Sequence, residues 1–74
     1  MRLPQKGEAW RHFKGTIYRI VGFSWDAEPE NLRLVVHYQK WTNPNAAVFS
    51  RTLWNFLGPV DDRAHARFEI RDDA

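Results

Sequence analysis

Three histidines, two serines and the Asp61-Asp62 pair are the first groups in this 74-residue chain to weigh for covalent or acid–base chemistry, and there is no cysteine. Their spacing argues against such chemistry. His12 and His37 could meet across strands, but two imidazoles without placed carboxylates are too few to hold a metal, and no zinc-ligand spacing is present. Asp61-Asp62 stands beside Arg63 and reads as a solvated turn rather than an acid/base pair. Ser24 and Ser50 fall in strand patterns, without the sharp strand-to-helix context that exposes a catalytic serine. Four scattered glycines make no phosphate loop. The expectation is therefore not an enzyme, with no cofactor and no metal.

What remains is binding. His12, Lys14, Tyr38, Trp41 and Arg51 are the candidate contact residues. Aromatic and Arg side chains mark both protein hot spots and base-stacking platforms. Each has a blander role available. Tyr38 has the parity of a core residue, Arg51 could cap or pair locally, and His12 and His37 fit a solvated strand face. Trp10, Trp25 and Trp54 read as core or lid, whereas Trp41 flanks a polar turn and reads as exposed.

Three functions compete. The preferred one is a protein- or peptide-binding module with an aromatic groove. The alternative is a nucleic-acid-binding module that uses a basic, aromatic surface, and its affinity would fall steeply with salt. The third is a small-ligand or weakly catalytic site on His12 and His37, which would respond to pH near neutrality. Charge favours the first. The net charge is only +2, and it is uneven. Residues 1–25 carry five Lys or Arg against one Glu, and 32–60 carry Arg33, Lys40 and Arg51 with no acid. Residues 26–31 hold Asp26, Glu28 and Glu30, and 61–74 hold five acids against three Arg. A basic body can attract phosphates, but an acidic turn and tail work against it.

The elements that must position these residues are short. Asn31 to Gln39 is the clearest strand, with Leu32, Leu34, Val36 and Tyr38 alternating against Arg33, Val35, His37 and Gln39. Glu8 to Lys14 gives a short strand, and Gly15 suits a turn with positive φ. Thr16 to Trp25 reads as a long strand that bends at Gly22, where a bulge switches the inward face. Asp26 to Asn31 is an acidic turn. Thr42-Asn43-Pro44-Asn45 is a second turn, so 32–39 and 46–51 are expected to form an antiparallel hairpin. In that hairpin Tyr38 to Trp41 and Arg51 lie toward different ends of the ribbon. Leu53, Phe56 and Leu57 fit one helical turn, capped by Thr52 and stopped by Gly58-Pro59. Residues 60–66 make a charged connector, and 67–71 an edge strand with Phe68 and Ile70 inward.

These elements predict one mainly β domain over 8–71, with a loose arm at 1–7 and a frayed tail at 72–74. The expected architecture is a small SH3-like barrel of about five short antiparallel strands with one helical turn, and an OB-like barrel is the runner-up. So small a domain buries only about 60% of its unfolded surface. Four Trp, two Tyr and five Phe offset that limit, because no disulfide can. Absence of Cys fits a reducing compartment. No segment has the apolar run of a signal peptide or of a membrane span, so a cytoplasmic protein is expected, as a monomer or homodimer.

Several of these residues also occur together elsewhere. They are His12-Phe13-Lys14-Gly15 with Tyr18, Leu34-Val35-Val36 with Tyr38-Gln39, Ser50-Arg51-Thr52-Leu53 with Phe56, and Arg67-Phe68-Glu69-Ile70. In that order they resemble a small bacterial family, domain-of-unknown-function family one-six-five-three. The resemblance covers about residues 8–71. The family pattern usually has Arg-Pro-Leu where this chain has Arg51-Thr52-Leu53, and an acid near Gly58. The resemblance implies a small, mostly β domain and supplies no activity.

Overall fold

The computed structural model describes residues 3–28, 31–60 and 66–71, with the side chains of Glu28 and Asn31 outside that description. Pro29 and Glu30 of the acidic turn, Asp61 to His65 of the connector and the 72–74 tail also lie outside the described residues. Five strands and one helix follow in the order β1 (Ala9–His12), β2 (Ile17–Glu28), β3 (Asn31–Lys40), β4 (Phe49–Thr52), α1 (Leu53–Leu57) and β5 (Phe68–Ile70). The fold is mainly β, as expected. All pairs are antiparallel in one sheet of order β4-β3-β2-β1-β5.

Alternation decides which side chains face the core. The inner face carries Trp10, Ile20, Val36, Tyr38 and Phe68, which are buried together with Phe56 of α1. Gly15 takes φ 105° in the turn between β1 and β2, a conformation that a side chain disfavours. The predicted bend in β2 is a register shift between Ile20 and Gly22. Ile20 pairs with Tyr38 and Gly22 with His37, so Val21 is the extra residue. Beyond it Phe23 and Trp25 share a face with Val36 and Leu34. The inward parity switches, but this end of the hairpin overruns the core. Trp25 is 62% exposed, so its assignment to core or lid is corrected.

Three boundaries differ from expectation. Strand β2 runs to Glu28 rather than Trp25, because Asp26, Ala27 and Glu28 of the expected acidic turn continue the ladder opposite Arg33, Leu32 and Asn31. The return strand begins at Phe49 rather than Ala46, because residues 41–48 form turns and bends. The resulting register sets Tyr38 opposite Phe49 and Val36 opposite Arg51. Arg51 therefore lies diagonally across from Tyr38, not at the other end of the ribbon. Residues 3–7, read as a loose arm, are tied to the sheet instead. Pro4 is buried, and the Gly7 amide donates to the Ile20 carbonyl at 2.8 Å.

Helix α1 follows β4 without a gap. Thr52 Oγ1 accepts from the Asn55 amide at 3.2 Å, the capping role its sequence position suggested. Phe56 is fully buried, and its ring stacks on Phe68 at 4.2 Å between centroids with 9° between planes. Among the described residues β4 and β5 do not pair with each other. Aromatic packing of α1 on β5 links the two edges of the sheet.

Candidate functional site

Tyr38 is where the site starts. Its ring is enclosed by Tyr18, Phe49, Phe56 and Phe68, with centroids 5.2, 5.7, 5.6 and 5.2 Å away. Such a ring must give its hydroxyl a partner. Arg51 supplies it, donating from Nε to Tyr38 Oη at 2.8 Å. The same guanidinium donates from Nη1 to Asn55 Oδ1. Strand β4 sets the Arg51 backbone, and the first turn of α1 brings Asn55 to it. The planar guanidinium is thus clamped from two sides.

An open groove of about 570 Å³ runs past this clamp, lined by Arg33, Tyr38, Phe49, Ser50, Arg51, Thr52 and Asn55. Among the described residues both charged side chains in its wall are arginines. It lies along β4, an edge strand whose far side pairs with no other described strand. Phe49 is 44% exposed at its rim.

His12 is on the neighbouring part of the inner face, across Phe68 and Tyr18 from Tyr38, with ring centroids 5.0 and 6.3 Å from those two. It does not line the groove. The Lys14 amide donates to His12 Nδ1 at 3.2 Å, so the neutral ring carries its proton on Nε2. Burial lowers the His12 pKa below its ordinary value, and the positive charges of Arg51, Lys14 and Arg67 push it in the same direction. Arg67 adds a buried Nε with no acceptor among the described residues. Four cationic or titratable groups thus gather beside the aromatic floor. No ion pair neutralises Lys14, Arg33, Arg51 or Arg67 among the described residues.

The five candidate residues therefore divide. Tyr38 and Arg51 touch, His12 and Lys14 flank them, and Trp41 stands apart. The Trp41 amide donates to the Ile17 carbonyl, which carries the β3 ladder one residue further. That places Trp41 with the odd-numbered, outer-facing residues of β3. Its ring covers the Arg19 guanidinium at 4.5 Å. His12 and His37 do not meet either. His37 is on the outer face, where Nε2 lies 2.6 Å from Ser24 Oγ. Among the described residues no cluster of three or more metal-ligating side chains occurs, and no helix is long and apolar enough to cross a membrane.

Asn55, Phe49, Arg33 and Arg67 were not singled out from the sequence. Helical spacing could not have paired Arg51 with Asn55, because Arg51 lies on β4 ahead of the extended cap residue Thr52. Arg33 was hidden by its solvent-side parity, and it lines the groove from β3 beyond Val35, where the ladder with β4 ends.

The chain belongs to the family described as Protein of unknown function (DUF1653), whose model matches residues 8–70. No curated protein and no solved structure matches it.

Proposed function

We propose that this member of the family is a binding module that takes an extended peptide segment of a partner protein along strand β4. One observation carries the reading: the groove of Arg33, Tyr38, Phe49, Arg51 and Asn55 runs beside a sheet edge that pairs with no other described strand. An extended peptide can satisfy such an edge with its own backbone hydrogen bonds, while alternate side chains enter the groove. The aromatic floor supplies apolar contact and the arginines supply direction. Binding, not catalysis, is the role proposed, and the absence of cysteine fits a cytoplasmic setting.

Selection from a random displayed-peptide library tests this. The expected result is enrichment of peptides that bind the wild-type protein and weaken by about tenfold on Phe49→Ala, the scale of a modest hot spot. Absence of any enriched peptide, or binding indifferent to Phe49, contradicts it. Nucleic acid is the competing ligand. Binding of single-stranded DNA or RNA that falls steeply with salt would replace the peptide reading.

A further inference from the structure

We propose that the β4 groove is an oxyanion receptor that anchors its peptide by a carboxylate held on Arg51. The inference rests on the peptide reading and names the chemistry of the anchor. It follows from counting which hydrogen-bonding groups are already spent. Tyr38 Oη accepts from Arg51 Nε, and Asn55 Oδ1 accepts from Arg51 Nη1. Thr52 Oγ1 accepts from the Asn55 amide. The acceptor atoms of these three side chains are therefore engaged within the site. Each oxygen keeps a lone pair, but donors predominate among the described residues: the Tyr38 and Thr52 hydroxyl protons, the Asn55 amide protons and the remaining N–H groups of Arg51. Arg33 adds a second guanidinium to the wall, and among the described residues no acid lines the groove.

A surface that offers donors and positive charge selects a ligand rich in acceptors and negative charge. The clamp also lowers the ordering cost of binding. Tyr38 and Asn55 hold the guanidinium plane before any ligand arrives, so less side-chain freedom is lost on contact. A peptide carboxylate fits better than a nucleic-acid phosphate. The anchor is one fixed fork at a short edge strand, and the whole chain is only +2. Such a chain lacks the excess of cations that a phosphate polymer requires.

Calorimetric titration with N-acetylated, C-amidated tetraglutamate tests the inference, with tetraglutamine of the same form as the uncharged control and octathymidylate as the phosphate control. Tetraglutamate is expected to bind and tetraglutamine to be at least about tenfold weaker, the worth of one charge-assisted hydrogen bond. Arg51→Lys, which keeps the charge and loses the fork, is expected to weaken tetraglutamate by about tenfold. Asn55→Asp is a variant that does not risk the fold. It places a carboxylate on Arg51 from within, in the first turn of α1 where an acid is favourable. It is expected to raise the melting temperature while abolishing tetraglutamate binding. Equal binding of the two peptides, unaltered binding in Asn55→Asp, or preference for octathymidylate overturns the inference. If displayed peptides bind and are sensitive to Phe49 but indifferent to their own carboxylates, the peptide reading survives and the oxyanion anchor falls. If no displayed peptide binds, the peptide reading falls first.

Discussion

At the residue scale the electrostatics of the site can be read through His12. Its folded pKa is lowered, first by burial and then by Arg51, Lys14 and Arg67. The unfolded chain therefore binds more protons than the folded one below the ordinary histidine value. Stability attributable to His12 is full above the unfolded pKa of 6.5 and declines as pH falls through it toward the folded value. Arg51→Gln removes one of the three charges and leaves the burial. An NMR titration of the His12 ring in that variant is expected to show a pKa raised toward, but not reaching, the ordinary value. An unchanged pKa would mean that Arg51 does not act on His12. Tyr38 shows how far one residue could be read in advance. Its alternation with Gln39 foretold burial, and a buried hydroxyl needs a polar partner. The identity of that partner depended on a strand register that the local sequence does not encode.

At the scale of elements the junction of β4 and α1 supports both fold and site. Thr52 ends the strand and caps the helix, Phe56 closes the core, and Asn55 clamps Arg51. Thr52→Ala is expected to cost about 1 kcal/mol, the usual worth of an N-cap. Phe56→Ala is expected to cost about 3–5 kcal/mol, comparable to the entire stability of a domain this small. Thermal or urea unfolding distinguishes the two, and similar losses for both would mean that Phe56 is not the closing residue. Gly58 makes a sharper constraint. A Cβ there would lie 2.8 Å from the Trp54 carbonyl oxygen, so the helix end must shift to accept any side chain. These elements were legible: the spacing of Leu53, Phe56 and Leu57 gave the turn, and Gly22 marked the bulge to within one residue. The start of β4 was not, because Ala46, Ala47 and Val48 alternate as acceptably as Phe49 to Thr52. The site inherited that error, since the displaced register separated Arg51 from Tyr38.

For the whole molecule the sheet divides into regions of different character. Near β4, β1 and β5 the inner face carries aromatic rings and nearby cations, with no ion pair to Lys14, Arg51 or Arg67 among the described residues. Toward the far end of the β2–β3 hairpin it carries Phe23, Trp25 and Leu32, all exposed, with Leu3 beside Phe23. Trp54 is 80% exposed on α1, so its assignment to core or lid is corrected like that of Trp25. A single sheet with one helical turn cannot cover four tryptophans, and only Trp10 among them is buried. The outer face holds Trp41 over Arg19 and the Ser24–His37 pair. Binding is proposed for the first of these regions alone. The most direct measurement is a heteronuclear NMR titration of the full chain with N-acetylated tetraglutamate, following backbone amides and the Arg51 Nε–Hε signal. The expected result is saturable shifts of that signal together with the amides of Phe49 to Asn55, while Trp25, Trp41 and His37 stay fixed. Shifts centred on the Trp25 end of the hairpin or on Trp41 and Arg19, with Arg51 unmoved, would contradict the account.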